Sequence, residues 1–193
     1  MTLTVLVVDM QNGFCRPDGS AQRAGMSIPD VDEVISECSS LIAEARAAHI
    51  PVVYTRHTYR PGHLDAPPSI RPQLAADAFI RGSWDAAIVD ELKPGLDDAI
   101  IDKARFDAFA YTDLELVLRG LETSHLLIAG VVTNMCVETT ARSAQQRDFQ
   151  VTVAKDATGS VRESLRDGSF LAMQEVFISV APWASVPELS LAI

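Results

Sequence analysis

At 193 residues, 48% of them hydrophobic, the chain suits one domain over residues 1–193 that buries a substantial core without disulfides or structural metal. A formal net charge of −10 disfavours nucleic acid and anionic membranes as partners, yet a small-molecule substrate of either charge remains open because local basic groups can dominate one pocket. Cys15, Cys38 and Cys136 fall at no disulfide or metal-ligand spacing, and there is neither a secretory leader pattern nor an apolar run long enough to cross a bilayer, so a cytoplasmic protein is expected.

The first strand is Thr4–Val8, a continuous β-branched run of the kind covered on both faces. It stops at Asp9, which places a carboxylate at the carboxyl end of a central strand. A loop rich in Gly, Pro and Asp runs from Gln11 to Pro29. Apolar or small residues at Val31, Val34, Ile35, Cys38, Leu41, Ile42 and Ala45 then repeat at three and four, predicting a helix from about Asp30 to His49. Pro51–Thr55 reads as the second strand, so the opening is a β-α-β unit with parallel strands and a right-handed crossover. From Arg56 to Ser83 the pattern is broken by His57, His63 and Pro61, Pro67, Pro68 and Pro72, and a loop of this length in a compact domain points to function or mobility.

A short helix is predicted over Asp85–Glu91, and Ala99–Lys103 is a brief third strand ending in lysine. Thr112–Arg119 reads as a helix with Thr112 as N-cap and Glu115 closing a capping box. His125–Ala129 is the fourth strand, bounded by Gly130, and a helical pattern of small and polar residues covers Asn134–Asp148. Gln150–Ala154 is strand five, Arg162–Met173 a helix and Val176–Val180 strand six; the tail from Pro182 reads as irregular. This alternation predicts an α/β fold: a single-domain, doubly wound sheet of about six mostly parallel strands with helices on both faces. Ligands of such sheets sit outside the carboxyl ends of the strands.

Asp9, Lys103 and Cys136 all fall at such ends. A cysteine at a helix start meets unpaired N–H groups and the positive end of the helix dipole, which favour the nucleophilic thiolate. Asp9 can accept the thiol proton and return it to a leaving group, and Lys103 can hold both groups ionised. Ammonia leaves an amide poorly unless protonated, so a proton carrier beside the nucleophile suits amide cleavage. The bland alternatives are an inert apolar cysteine, a loop-capping aspartate and a solvated lysine; the joint placement is what favours a site.

Four segments in this order resemble the isochorismatase-like cysteine hydrolases, which include nicotinamidases, N-carbamoylsarcosine amidase, ureidoacrylate and biuret amidohydrolases, and isochorismatase. They are Val7-Val8-Asp9-Met10-Gln11-Asn12-Gly13-Phe14, Lys103-Ala104-Arg105-Phe106-Asp107-Ala108-Phe109, Gly130 through Arg142, and Lys155-Asp156-Ala157-Thr158. The resemblance implies a catalytic triad of Asp9, Lys103 and Cys136. It also implies a cis peptide between Val131 and Val132, an oxyanion hole from the N–H groups of Val132 and Cys136, and a homo-oligomer, dimer or tetramer. It carries no cofactor to this chain. Nicotinamidases have an Asp-x-His metal motif after the second strand; Thr55-Arg56-His57-Thr58-Tyr59 stands there instead, so no metal is expected, although His57 and His63 remain loop histidines able to bind one.

The expected activity is metal-independent hydrolysis of the C–N bond of a small linear amide or ureide, with a carboxylate on the substrate a possibility, through a thioester on Cys136. Alternatives are a nicotinamidase-like amidase, an isochorismatase-type vinyl-ether hydrolase, which does not need the thiol, and a non-catalytic member that binds a metabolite. For substrate contacts, Arg56 and Arg105, with Arg60 and Arg81, are available to clamp a carboxylate, and Phe14, Trp84 and Phe109 to wall a pocket. Gln11 is expected to orient the loop behind Asp9, Asp156 to bond backbone at a strand edge, and Cys15 and Cys38 to pack in the core.

Overall fold

The structure is a computed structural model that describes residues 2–190. β1 (Leu3–Val8) is buried along its whole length and is followed by two single-turn helices, α1 (Asn12–Cys15) and α2 (Ser20–Arg23), where the sequence predicts only loop. α3 (Val31–Ala47) buries Val34, Ile35, Cys38, Leu41, Ile42 and Ala45, the stripe that its spacing predicts. Next come β2 (Val52–His57), β3 (Ala99–Lys103), α4 (Leu114–Gly120) and β4 (His125–Val131). A turn over Thr133–Val137 leads into α5 (Glu138–Gln145), and β5 (Gln150–Gly159), α6 (Glu163–Gln174), β6 (Ser179–Ala181) and α7 (Pro187–Ser190) complete the chain.

The six strands are all parallel, in the order β3-β2-β1-β4-β5-β6. Winding runs outward from β1 to β3, then restarts at β4 and runs the other way, so the switch point lies between β1 and β4. The crevice outside their carboxyl ends is where such sheets hold ligands. Leu3, Val5 and Val7 face a core layer closed by α3; Leu6 and Val8 face a second layer with Leu114, Leu118, Ala141, Ala144 and Met173 from α4, α5 and α6. Each layer is built from the two-residue alternation of β1, which explains why that strand is apolar without interruption. No helix among the described residues is long and apolar enough to cross a membrane.

Several predicted elements differ. Asp85–Glu91 is not a helix: Asp85 turns inward, and the only helical turn nearby is a 3-10 turn at Asp90–Leu92. The capping box is not formed. Asp113 occupies the N-cap of α4, the Thr112 hydroxyl accepts from Leu114 N–H at 3.3 Å, and Glu115 pairs with Arg119 and Arg147. The tail from Pro182 is ordered as a 3-10 turn, Trp183–Ser185, and α7, its last three residues lying outside the described residues. Trp183 N–H bonds the Asp156 carboxylate at 3.1 Å, the modest role expected of that residue.

Gly130 continues β4 and does not end it. Its φ of +108° suits glycine, and a Cβ there would lie 2.1 Å from the Val8 carbonyl oxygen, so glycine is what lets β4 approach β1 at the switch point. The β4–β5 register shifts between Ile128 and Gly130, and the Thr158 hydroxyl supports the irregularity by donating to the Gly130 carbonyl at 2.7 Å.

Candidate active site

Sheet order decides which side chains meet. β2 lies between β1 and β3, so Lys103 at the end of β3 reaches across the end of β2 to arrive at Asp9 beyond β1. His57, the register partner of Lys103, is therefore inserted between them. Asp9 Oδ2 accepts from Lys103 Nζ at 2.6 Å and Oδ1 from the Thr55 hydroxyl at 2.5 Å; the side chains of Asp9 and Lys103 are both fully buried. Asp9 sits in the left-handed region at φ +52°, which turns the chain sharply at the strand end. The Gln11 amide accepts from His57 N–H at 2.7 Å and donates to the carbonyls of His57 and Ala86 at 3.0 and 2.8 Å, so Gln11 ties the loop behind Asp9 to the end of β2.

Cys136 arrives from β4 through the peptide between Val131 and Val132, which is cis. The expected helix start is a wider turn closed by Val137 N–H donating to the Val132 carbonyl at 3.3 Å, five residues back. Lys103 Nζ lies 3.4 Å from Cys136 Sγ and 3.4 Å from His57 Nδ1, and donates to the Arg105 carbonyl at 3.0 Å. One ammonium thus has four acceptors for three protons, and sulfur and imidazole compete for the third.

The electrostatics differ from the thiolate that the helix start predicts. Burial is the dominant influence on Cys136 and pushes its thiol up to about 12; the Lys103 charge opposes this, and the Asp9 charge adds to it. At neutral pH Cys136 therefore carries a neutral thiol, and an attack by its sulfur would need that proton removed. Burial also works against the Lys103 ammonium, but the Asp9 carboxylate and the hydrogen bonds to Asp9 and Cys136 outweigh it and hold the lysine above its ordinary range. His57, desolvated and beside that ammonium, is lowered to about 3 and is neutral.

The neutral state of His57 fixes a hydrogen-bond direction. An ammonium has only protons to give, so Nδ1 facing Lys103 accepts and the ring proton sits on Nε2. Nε2 lies 2.6 Å from the Tyr59 hydroxyl, so that oxygen accepts and its own proton is left for a ligand. Neither His57 nor Tyr59 is in the triad read from the sequence; the available signal was the position of His57 at the end of strand two, level with Lys103. Asp9, His57 and Cys136 offer donor atoms within 4.8 Å of one another, the geometry of a metal cluster, but the Lys103 ammonium already supplies the positive charge among them. His57 and His63 flank the Tyr59 ring edge-on, and His63 Nε2 is engaged with the Ala78 carbonyl at 2.8 Å, so the two histidines do not form a pair of ligands.

Cys136 and Val132 open onto a cavity of about 410 Å³, walled chiefly by Phe14, Met26, Leu74, Phe79, Phe106 and Met135, with Tyr59 and His57 as polar members. Its far wall comes from the long loop after β2, held by a buried carboxylate that the sequence did not reveal. Asp85 accepts from Ser20 N–H at 2.8 Å, the Ser20 hydroxyl at 2.6 Å and Phe79 N–H at 2.8 Å, stitching α2 and the Phe79 turn together. Gly13 is the space they close over, since a Cβ would fall 2.5 Å from the Phe79 ring.

Of the predicted substrate contacts, Phe14 lines this cavity and the others do not. Strand alternation turns Arg56 to the opposite face from His57, where it pairs with Asp102 at 2.8 Å. Trp84 is 54% exposed, and Phe109 is core, stacked on Phe149 and covered by Arg147. The Arg105 guanidinium donates to the carbonyls of Asp65 and Ala104 and lies over Tyr111, lining a separate cavity with Arg60 and Arg81. Cys15 and Cys38 are buried, as expected.

The model of the Isochorismatase domain matches residues 4–185. A ureidoacrylate amidohydrolase, RutB, from Caulobacter vibrioides is 33% identical over 172 residues, covering 81% of this chain and 76% of that relative; RutB from Methylobacterium radiotolerans is 32% identical over 199 residues, covering 95% and 76%. A cysteine hydrolase from Pseudomonas syringae pv. phaseolicola superposes with a TM-score of 0.87 at 28% identity, covering 100% of this chain and 94% of that one. N-carbamoylsarcosine amidase from Thermoplasma acidophilum shares the fold at a TM-score of 0.80 and 22% identity, covering 96% of this chain and 99% of that one.

Proposed function

The chain belongs to the isochorismatase family, and on that premise we propose that it is an amidohydrolase that cleaves the C–N bond of a small amide or ureide through a thioester on Cys136. The observation that carries the reading is the buried Lys103 ammonium placed between Asp9 Oδ2 and Cys136 Sγ. The relatives named as ureidoacrylate amidohydrolases and as N-carbamoylsarcosine amidase support hydrolysis of a non-peptide C–N bond.

Asp9 takes the Cys136 proton as sulfur attacks the carbonyl carbon, and Lys103 shifts its shared proton from His57 to the sulfur as charge develops there. The oxyanion is received by the N–H groups of Val132 and Cys136, each such donor being worth about 100- to 1000-fold in rate. Protonated Asp9 then gives its proton to the leaving nitrogen, the C–N bond breaks, and ammonia or an amine departs. Water attacks the thioester carbonyl, Asp9 accepts its proton, the C–S bond breaks, and the proton returns to sulfur with release of the acid. No cofactor takes part in this scheme. A cytoplasmic homo-oligomer, dimer or tetramer, is the accompanying proposal, resting on the resemblance and checked by sedimentation.

The test is ammonia release from a panel of amides and ureides, with rapid quenching and mass spectrometry of the enzyme. Cys136→Ala abolishes turnover, and the wild type accumulates an acyl adduct on the peptide carrying Cys136. Full turnover by Cys136→Ala would overturn the mechanism and favour chemistry that needs no thiol, such as vinyl-ether hydrolysis.

A further inference from the structure

Resting on the amidohydrolase reading, we propose that the acyl group this enzyme accepts is uncharged and apolar, so that carboxylate-bearing ureides of the ureidoacrylate kind are poor substrates. Among the described residues, no arginine, lysine, aspartate or glutamate lines the cavity onto which Cys136 opens. Its walls are the rings of Phe14, Phe79 and Phe106 and the aliphatic chains of Met26, Ile70 and Leu74. The nearest cation, Lys103, has no exposed side-chain surface and its protons are committed to Asp9, the Arg105 carbonyl, Cys136 and His57. Arg60, Arg81 and Arg105 belong to a different cavity of about 330 Å³, where Asp65 and Asp102 already face them.

The polar groups that do reach the Cys136 cavity suit one carboxamide and little more. The Ser20 hydroxyl donates to Asp85, the Gln73 amide donates to the Ser69 carbonyl, and His57 is held between Lys103 and Tyr59. The Tyr59 hydroxyl proton and the second Gln73 amide proton are the side-chain donors left over, both fit for a neutral acceptor. A carboxylate held against these walls would give up part of its hydration without gaining a cation, an arrangement that costs free energy. An alkyl or aryl group gains from the same surface, and about 410 Å³ accommodates a chain or ring of several heavy atoms.

The experiment uses matched pairs that differ only in a terminal methyl or carboxylate: hexanamide with 5-carbamoylpentanoate, and butylurea with 4-ureidobutanoate, alongside ureidoacrylate. Ammonia release gives kcat/KM for the wild type, and calorimetry on Cys136→Ala gives affinity without turnover. The neutral member is favoured by at least about 100-fold in each pair, and Leu74→Arg, which places a cation in the cavity wall, reduces that preference by about 10-fold or more. Carboxylates bound or turned over as well as their neutral partners, or binding of neither class at millimolar concentration, would overturn the proposal. Failure of the underlying mechanism reads differently: turnover survives Cys136→Ala while the preference for neutral ligands stands.

Discussion

Replacing either member of the Asp9–Lys103 pair alone leaves a charge stranded where water does not reach. Nζ and Oδ2 are 2.6 Å apart and neither side chain has exposed surface, so Lys103→Met leaves the Asp9 carboxylate with neutral partners alone, the Thr55 hydroxyl and the Cys136 thiol. Breaking a buried pair in this way costs about 3–5 kcal/mol. In a chain of this length each kcal/mol moves the midpoint by about 2–4 °C, which gives a fall of roughly 6–20 °C. Asp9→Asn keeps the Thr55 bond and strands the ammonium, with a loss in the same range. The double variant Asp9→Asn/Lys103→Met removes both charges and should fall short of the sum of the single losses by at least about 2 kcal/mol. Urea unfolding of the four proteins, monitored by circular dichroism at pH 7, completes the cycle, and all three variants lack turnover. Single losses below about 1 kcal/mol that simply add would refute the reasoning, because they would mean the pair is hydrated and the site open.

Cys136 in the substrate-free enzyme should alkylate slowly at neutral pH, with a labelling rate that climbs beyond the free-thiol value of about 8.5 before levelling; a plateau below that value contradicts a thiol pushed up to about 12. Because the folded state holds that proton more tightly, its contribution to stability is complete below the unfolded thiol value and is lost as pH rises towards 12. His57 has the opposite sign: lowered to about 3, it favours folding above its unfolded value and loses that contribution as pH falls. The cost is up to about 1.4 kcal/mol per pH unit below about 6.5, so His57→Gln should flatten the acid limb of a stability–pH curve, and an unchanged slope would count against a neutral buried ring. Tyr59→Phe should lower kcat/KM by about 10-fold with little change in midpoint temperature, as expected for one neutral hydrogen bond to substrate; unaltered kinetics would remove Tyr59 from the site. Gly130→Ala, with its Cβ 2.1 Å from the Val8 oxygen, should cost at least about 3 kcal/mol by chemical unfolding, and a near-neutral result would show that β4 can shift away from β1.

The parts of the fold legible in the sequence are those in which one periodicity dominates. β1 is apolar throughout because both its faces are covered, and α3 shows a single buried stripe. The Asp85 segment misled because a carboxylate that caps backbone from inside looks the same in sequence as one that faces water. In the site, Asp9, Lys103 and Cys136 were legible as strand-end residues, but their neighbours depended on sheet order and on strand face. Only with β2 known to lie between β1 and β3 does His57 fall among them. Arg56, one residue earlier, falls on the wrong face, and Phe109 packs on Phe149 in the core. The expected thiolate failed for an energetic reason: the partial charge of a helix start was weighed without the desolvation of a cysteine that is only 3% exposed.

The span of Lys103 across the end of β2 also sets when the candidate site can be complete. Asp9 and Lys103 are 94 positions apart, and Cys136 follows Lys103 by another 33. A nascent chain that has emerged only as far as β3 holds Asp9 and Lys103 without Cys136, and the segment from β4 onward holds Cys136 without either. Recovery of turnover during refolding would therefore mark the alignment of four neighbouring strands in register, making the catalytic signal a timer for completion of the sheet.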